Sequence, residues 1–78
     1  MNTYNEWLKK LGQSIQLHRK SNKFTQQDLA KKSGIHLTSV QMIEQGRKPL
    51  TTRTLHRICD AIGVEVRDVV NQTSVTKK

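Results

Sequence analysis

The sequence predicts an all-α domain built from five short helices. Three observations carry that prediction. Apolar residues recur at steps of three and four almost throughout, and no alternating strand of useful length interrupts them. Gly12, Gly34, Gly46, Gly63 and the single proline, Pro49, punctuate the pattern. The chain has 78 residues, which suits one small domain and leaves no room for a large cofactor cleft beside a substantial core.

Tyr4, Leu8, Leu11 and Ile15 place one apolar stripe along a first helix. Trp7 lies beside the stripe, and both Tyr4 and Trp7 are expected to cover the core. Gly12 falls on that side, where it admits a close neighbour. The helix is expected to fade near Lys20, in Ser21-Asn22-Lys23. A second helix opens at Thr25, whose hydroxyl can accept from a backbone N–H while Asp28 reciprocates, although Asp makes a weaker box than Glu or Gln. Leu29 and Ala30 face inward, and Gly34 ends the helix in the left-handed conformation. At about eight residues it is too short to be stable alone. Val40 and Ile43, with Ile35 just before them, mark a third helix that Gly46 ends. Arg47-Lys48-Pro49-Leu50 reads as a loop. Thr51 and Thr52 can cap a fourth helix carrying Leu55, Ile58, Cys59 and Ile62 at i, i+3, i+4 and i+7, the clearest amphipathic set in the chain. Gly63 closes it. Val64, Val66, Val69 and Val70 suggest a short fifth helix despite the poor helix propensity of valine. The folded domain is expected over residues 1–72, with 73–78 a disordered basic tail.

Composition narrows the function. Fourteen Lys and Arg stand against six Asp and Glu, for a net charge of +8. Residues 1–24 hold five basic and one acidic side chain, 25–48 four and two, and 49–78 five and three, so the excess runs through the fold. It points to a polyanion, nucleic acid ahead of a membrane surface. One Tyr, one Trp and one Phe are too few for a base-stacking platform of the single-strand type. The lone cysteine excludes an intrachain disulfide and a Cys-based zinc site. His56 and Cys59 sit three apart, but no second ligand pair accompanies them, so no metal is expected. No nucleophile motif, phosphate-cradling glycine loop or paired carboxylates is present, so neither an enzyme nor a cofactor is expected. No apolar run approaches a membrane span or a signal peptide, which leads to the expectation of a cytoplasmic, nucleoid-associated protein.

Two short helices joined by a glycine-containing turn, the first opening Thr-Gln-Gln, form a helix-turn-helix pattern. Thr25-Gln26-Gln27-Asp28-Leu29-Ala30-Lys31-Lys32-Ser33-Gly34-Ile35, then Ser39-Val40 and Ile43-Glu44-Gln45-Gly46, resembles the Cro/repressor-type helix-turn-helix family of phage and bacterial regulators. Leu55, Ile58 and Ala61-Ile62-Gly63-Val64 are similar to that family's fourth helix and its exit. The resemblance covers residues 8–70 and implies a compact five-helix lambda-repressor-like DNA-binding domain, its helix-turn-helix made by the second and third helices. It also implies base-facing side chains at Leu37, Thr38 and Met42, with Ser39 and Gln41 close by, and phosphate anchoring at Gln26 beside Gln27. Arg47, Lys48 and Arg53 are natural phosphate contacts. An ion pair between Arg19 and Glu44 follows from the same resemblance. Leu37 and Met42 depart from the polar or basic readers common in the family; they can pack on thymine methyls but cannot donate or accept. His36 stands where Ser or Thr usually caps the recognition helix.

The leading expectation is a sequence-specific double-stranded DNA-binding regulator, a repressor that binds a pseudo-palindromic operator as a homodimer. The two recognition helices would then lie roughly 34 Å apart. Val66, Val69 and Val70 are candidates for either core closure or dimer contacts. The alternatives are an antitoxin-type module that binds a partner protein and autoregulates its operon, or a restriction–modification controller. A basic membrane-surface or nonspecific nucleic-acid protein would explain the charge but not the turn spacing.

Overall fold

A computed structural model describes residues 3–71, which form five α-helices: α1 (Thr3–Ser21), α2 (Gln26–Ser33), α3 (Leu37–Glu44), α4 (Thr52–Ile62) and α5 (Val66–Asn71). No strand occurs among the described residues. The expected end of the domain at residue 72 and the expected tail at 73–78 lie outside them. No helix among the described residues is long and apolar enough to cross a membrane.

α1 is the spine. It packs on α3, α4 and α5, while α2 packs on α3 and α4. The core collects Leu11 and Ile15 from α1, Leu29 from α2, Val40 and Ile43 from α3, the Leu55/Ile58/Cys59/Ile62 set from α4, and Val69 from α5. Each helix thus contributes one apolar stripe to a single cluster, the arrangement that lets helices of eight residues or fewer persist.

Tyr4 and Trp7 do not cover this core. They are 53% and 38% exposed. Both lie on the correct side of α1, but that helix has 19 residues, about 28 Å at 1.5 Å per residue, against partners of 6 to 11 residues. Its residues before Leu8 are exposed, and burial begins at Leu8. Leu17, on the outer side of α1, is also 53% exposed. α5 also differs from expectation. Val69 is fully buried, so it closes this chain's own core and offers no surface to a partner, whereas Val66 and Val70 are half-buried. Ser14 Oγ donates to the Val69 carbonyl at 2.7 Å and ties α5 to α1.

Gly12 marks a close approach of two helix backbones. A Cβ there would run into the carbonyl oxygens of Ile43 and Glu44, the latter at 2.6 Å. The end of α3 therefore lies directly against the backbone of α1. This contact sets where α3 sits, and with it the surface that α3 presents.

Candidate nucleic-acid interface

The helix-turn-helix is built from local rules. Thr25 Oγ1 accepts from the Asp28 N–H at 3.0 Å, and Asp28 Oδ2 accepts from the Thr25 N–H at 3.0 Å, so both halves of the capping box are made. Those bonds from Thr25, backbone first, hold the Asp28 carboxyl below its ordinary value of 3.8, and Lys31 and Lys32 add to the effect. At the other end, Gly34 takes φ 74° and ψ 22°, and its N–H and that of Ile35 both donate to the Ala30 carbonyl. The chain then reverses into α3. His36 precedes it in an extended conformation and supplies no side-chain cap.

α3 is fixed from behind. Val40, Ile43 and Glu44 are buried, and a charged network locks the last of them. Arg19 Nε donates to Glu44 Oε2 at 2.6 Å and Arg19 Nη2 to Oε1 at 3.0 Å. Arg19 Nη1 donates to the Phe24 carbonyl at 2.8 Å, and Gln26 Nε2 donates to Glu44 Oε1 at 3.0 Å. One carboxylate thereby joins α1, the turn before α2, the first residue of α2 and the end of α3. The ion pair is deeply buried, its side chains 7% and 2% exposed.

With that inner face set, the 100° step of a helix directs Thr38, Met42 and Gln45 away from the bundle. Thr38 and Gln45 are exposed, and Met42 is half-buried. Leu37 and Gln41 lie on the flank nearest Glu44, and Ser39 lies on the opposite one. Leu37 also lines a shallow notch of about 280 Å³ with Gln27, Asp28, Ala30 and Lys31. Two cations are drawn to this surface from the following loop. Lys48 Nζ donates to Ser39 Oγ at 2.9 Å, and Arg47 Nη1 donates to Gln45 Oε1 at 3.3 Å. Arg53 is exposed in the first turn of α4.

The structure therefore places Thr38, Met42 and Gln45 on the outward row of α3, Leu37 and Gln41 on one flank of it, and Ser39 with Lys48 on the other, while Arg47 reaches the row at Gln45. His36 and Gln27 lie at the near ends of the two helices. Gln26 differs from the rest: one of its amide N–H groups is engaged by Glu44, so its side chain is anchored inside the protein. The backbone N–H groups of Gln26 and Gln27, in the first turn of α2, have no intrahelical acceptor. Gln45 was missed by sequence reasoning. Its spacing of seven from Thr38 and three from Met42 is the signal that would have found it. His56 is exposed while Cys59 is buried, and no cluster of three metal-ligating side chains occurs among the described residues. Burial and the nearby carboxylates of Asp60 and Asp68 push the Cys59 thiol up to about 11.

A helix-turn-helix family model matches residues 15–69. Among solved structures, the chain is similar to the restriction-modification controller protein C.AhdI from Aeromonas hydrophila, at 26% identity and TM-score 0.78 over 80% of this chain and 94% of that one. It is also similar to the clp gene regulator ClgR from Corynebacterium glutamicum, at 27% identity and TM-score 0.84 over 86% of each chain. The restriction-modification controller protein C.Esp1396I aligns at 25% identity and TM-score 0.81 over 92% of this chain and 96% of its own. No curated protein matches significantly. The family match spans both reading helices and the α4 and α5 segments that support them, and the chain belongs to the Cro/repressor-type helix-turn-helix family of DNA-binding transcriptional regulators.

Proposed function

We propose that the chain is a sequence-specific repressor that binds a pseudo-palindromic operator as a homodimer, with α3 in the major groove of each half-site. The observation that carries this reading is the outer row of α3. It is uncharged from Leu37 to Ile43, held rigid from behind by buried groups, and bordered by Arg47 and Lys48. A surface of that kind separates the two tasks of a DNA reader. The cations and the first-turn amides of α2 grip phosphates and set register, and the uncharged side chains meet base edges. Thr38, Gln41 and Gln45 are the hydrogen-bonding readers in this proposal. Gln26 positions the start of α2 through Glu44, and Arg53 extends the phosphate grip. Val66 and Val70 are the proposed dimer contacts. The protein acts by occupying DNA and not by catalysis, in the cytoplasm at the nucleoid.

A second reading, control of a restriction–modification system, is favoured by a specific observation. The controller proteins named above align over 94% and 96% of their own length, and over 80% and 92% of this chain. Both readings share the DNA interface and differ in the gene controlled.

Selection of bound duplexes from a random-sequence pool tests the proposal. The expected result is a two-fold symmetric consensus with half-site centres about 10 base pairs apart. Recovery of unrelated sequences would reject sequence-specific binding, and a single unpaired half-site would reject the dimer.

A further inference from the structure

We propose that Leu37 and Met42 read the C5-methyl group of a pyrimidine in the major groove, so that base preference at their positions follows the methyl whether thymine or 5-methylcytosine carries it. The inference rests on the DNA-binding reading and specifies what that surface recognises.

α3 lacks the usual readers of guanine. Guanine is most often recognised through O6 and N7 by the cationic donors of Arg or Lys. The stretch from Leu37 to Ile43 has neither. The two nearby cations come from the loop after α3, and they are engaged by Ser39 and Gln45 at its margin. Two apolar side chains remain outside the core cluster, Met42 on the outward row and Leu37 on the flank beside α2. Neither Leu37 nor Met42 belongs to that cluster, and both are only half-buried. An apolar side chain gains from entering a groove only where it meets an apolar group. On the major-groove edges of the four bases, the one such group is the thymine C5-methyl.

The surroundings of Leu37 fit that target. It borders the notch whose other walls are Gln27, Asp28, Ala30 and Lys31. The small Ala30 keeps the notch open beside the leucine. Met42 lies five residues further on, about 7.5 Å along the helix, so the two side chains meet different base pairs. The flexible thioether of Met42 can adapt to a methyl without a fixed geometry. Thr38 stands between them on the exposed face, and its own methyl can add to a thymine contact.

The chemistry then sets the selectivity. Thymine and 5-methylcytosine carry a methyl at the same carbon and differ next to it, where O4 accepts and N4 donates. Leucine and methionine carry no group that distinguishes those two. Uracil has the thymine hydrogen-bonding edge without the methyl. A contact that reads the methyl therefore ranks thymine with 5-methylcytosine, and both above uracil and cytosine.

The test uses the full chain and duplexes bearing the selected operator, with affinity measured by fluorescence anisotropy at fixed salt. Each thymine is replaced in turn by deoxyuridine, and the sensitive positions are then filled with cytosine or 5-methylcytosine. The expected result is one or two positions per half-site where deoxyuridine weakens binding about fourfold, the scale of one buried CH₂ group. At those positions 5-methylcytosine should bind about fourfold more tightly than cytosine, the same margin as thymine over deoxyuridine. Leu37→Ala and Met42→Ala should each erase the thymine–uracil difference at one position. Because the base is altered first, the result does not depend on the variants folding. Equal binding of thymine and deoxyuridine duplexes throughout, with the consensus retained, would overturn the inference and leave the DNA-binding reading intact. A difference that persists in both variants would overturn the assignment to these residues. A selection that returns no consensus would overturn both readings.

Discussion

Replacing Arg19 with methionine strands the Glu44 carboxylate in the seam between α1 and α3. In the native protein that carboxylate accepts three hydrogen bonds, two from Arg19 and one from Gln26, with its side chain 2% exposed. The variant leaves it only the Gln26 bond and removes the donor to the Phe24 carbonyl. Breaking a buried pair from one side costs about 3–5 kcal/mol, because the surviving charge stays desolvated. A domain of this size has roughly 4–10 kcal/mol in all, so the variant should be close to its unfolding transition at room temperature. Glu44→Met should cost a similar amount, since it strands the guanidinium instead. The double variant removes both charges. It should lose only about 1–2 kcal/mol, the worth of the unpaired Phe24 carbonyl and Gln26 amide. Urea unfolding followed by circular dichroism at 222 nm yields all three values and the coupling between them. The native pair should also be insensitive to salt, since buried charges are poorly screened. Single variants costing under about 1 kcal/mol each, or a double variant equal to their sum within about 0.5 kcal/mol, would refute the assignment of this network as the tie between α1 and α3.

Three further outcomes follow from the geometry. Gly12→Ala should push α3 off α1, because the new methyl meets the Ile43 and Glu44 carbonyl oxygens. A cost of about 2 kcal/mol, seen as a fall of about 10 °C in Tm, is expected. Asp28→Asn should remove an acid-sensitive part of stability. The Asp28 pKa lies below 3.8 in the folded state, so its stabilisation is complete above the unfolded value and is lost as pH falls through the folded one. The Tm difference between wild type and variant should therefore be flat above pH 5 and should narrow below 3.8. Arg47→Ala and Lys48→Ala should weaken binding to operator and unrelated DNA alike. Each should flatten the slope of log affinity against log salt by about one unit, as titration by anisotropy across salt concentrations would record.

How far the sequence could be read depended on the physics of each feature. Helix ends marked by local chemistry were legible. The Thr25 box, the turn at Gly34 and the α4 stripe from Leu55 to Ile62 each depend on residues within a few positions of one another. The close approach at Gly12 was legible too, since only a missing side chain allows it. Features set by where one helix ends against another were not. Tyr4 and Trp7 have the periodicity of core residues, and only the shortness of the partner helices leaves them exposed. Val69 and Val70 are adjacent and chemically identical, and the register of α5 on α1 decides which is buried. Hydropathy also misplaces polar groups whose partners are distant in sequence. Ser14, Arg19 and Glu44 are buried because α5, Phe24 and Gln26 satisfy them. In the candidate site, the base-facing positions of α3 came from the family resemblance, with Val40 and Ile43 on the inner face. The engagement of Gln26 by Glu44 was not legible, because it spans 18 residues.

The same network explains how so small a domain can hold a reading helix steady. α3 is eight residues long and has no side-chain cap at His36, so it has little stability of its own. Its outer face cannot be strengthened without changing what it reads. Stability must come from behind, and the inner face has room for only Val40, Ile43 and Glu44. Two apolar residues and the close approach at Gly12 hold the helix against α1 but constrain its roll less, because hydrophobic contact is not directional. Glu44 supplies the direction. Its carboxylate is bonded from α1 and α2, so it sets both the roll of α3 and its distance from the first turn of α2. In the proposed complex, the amides of that turn and the outer row of α3 reach DNA together. A buried ion pair is a poor source of net stability, but it suits a task that depends on register. In the proposed complex, the charge that draws the protein to DNA can then stay at the edges, on Arg47, Lys48 and Arg53, where it does not compete with the uncharged side chains for the bases.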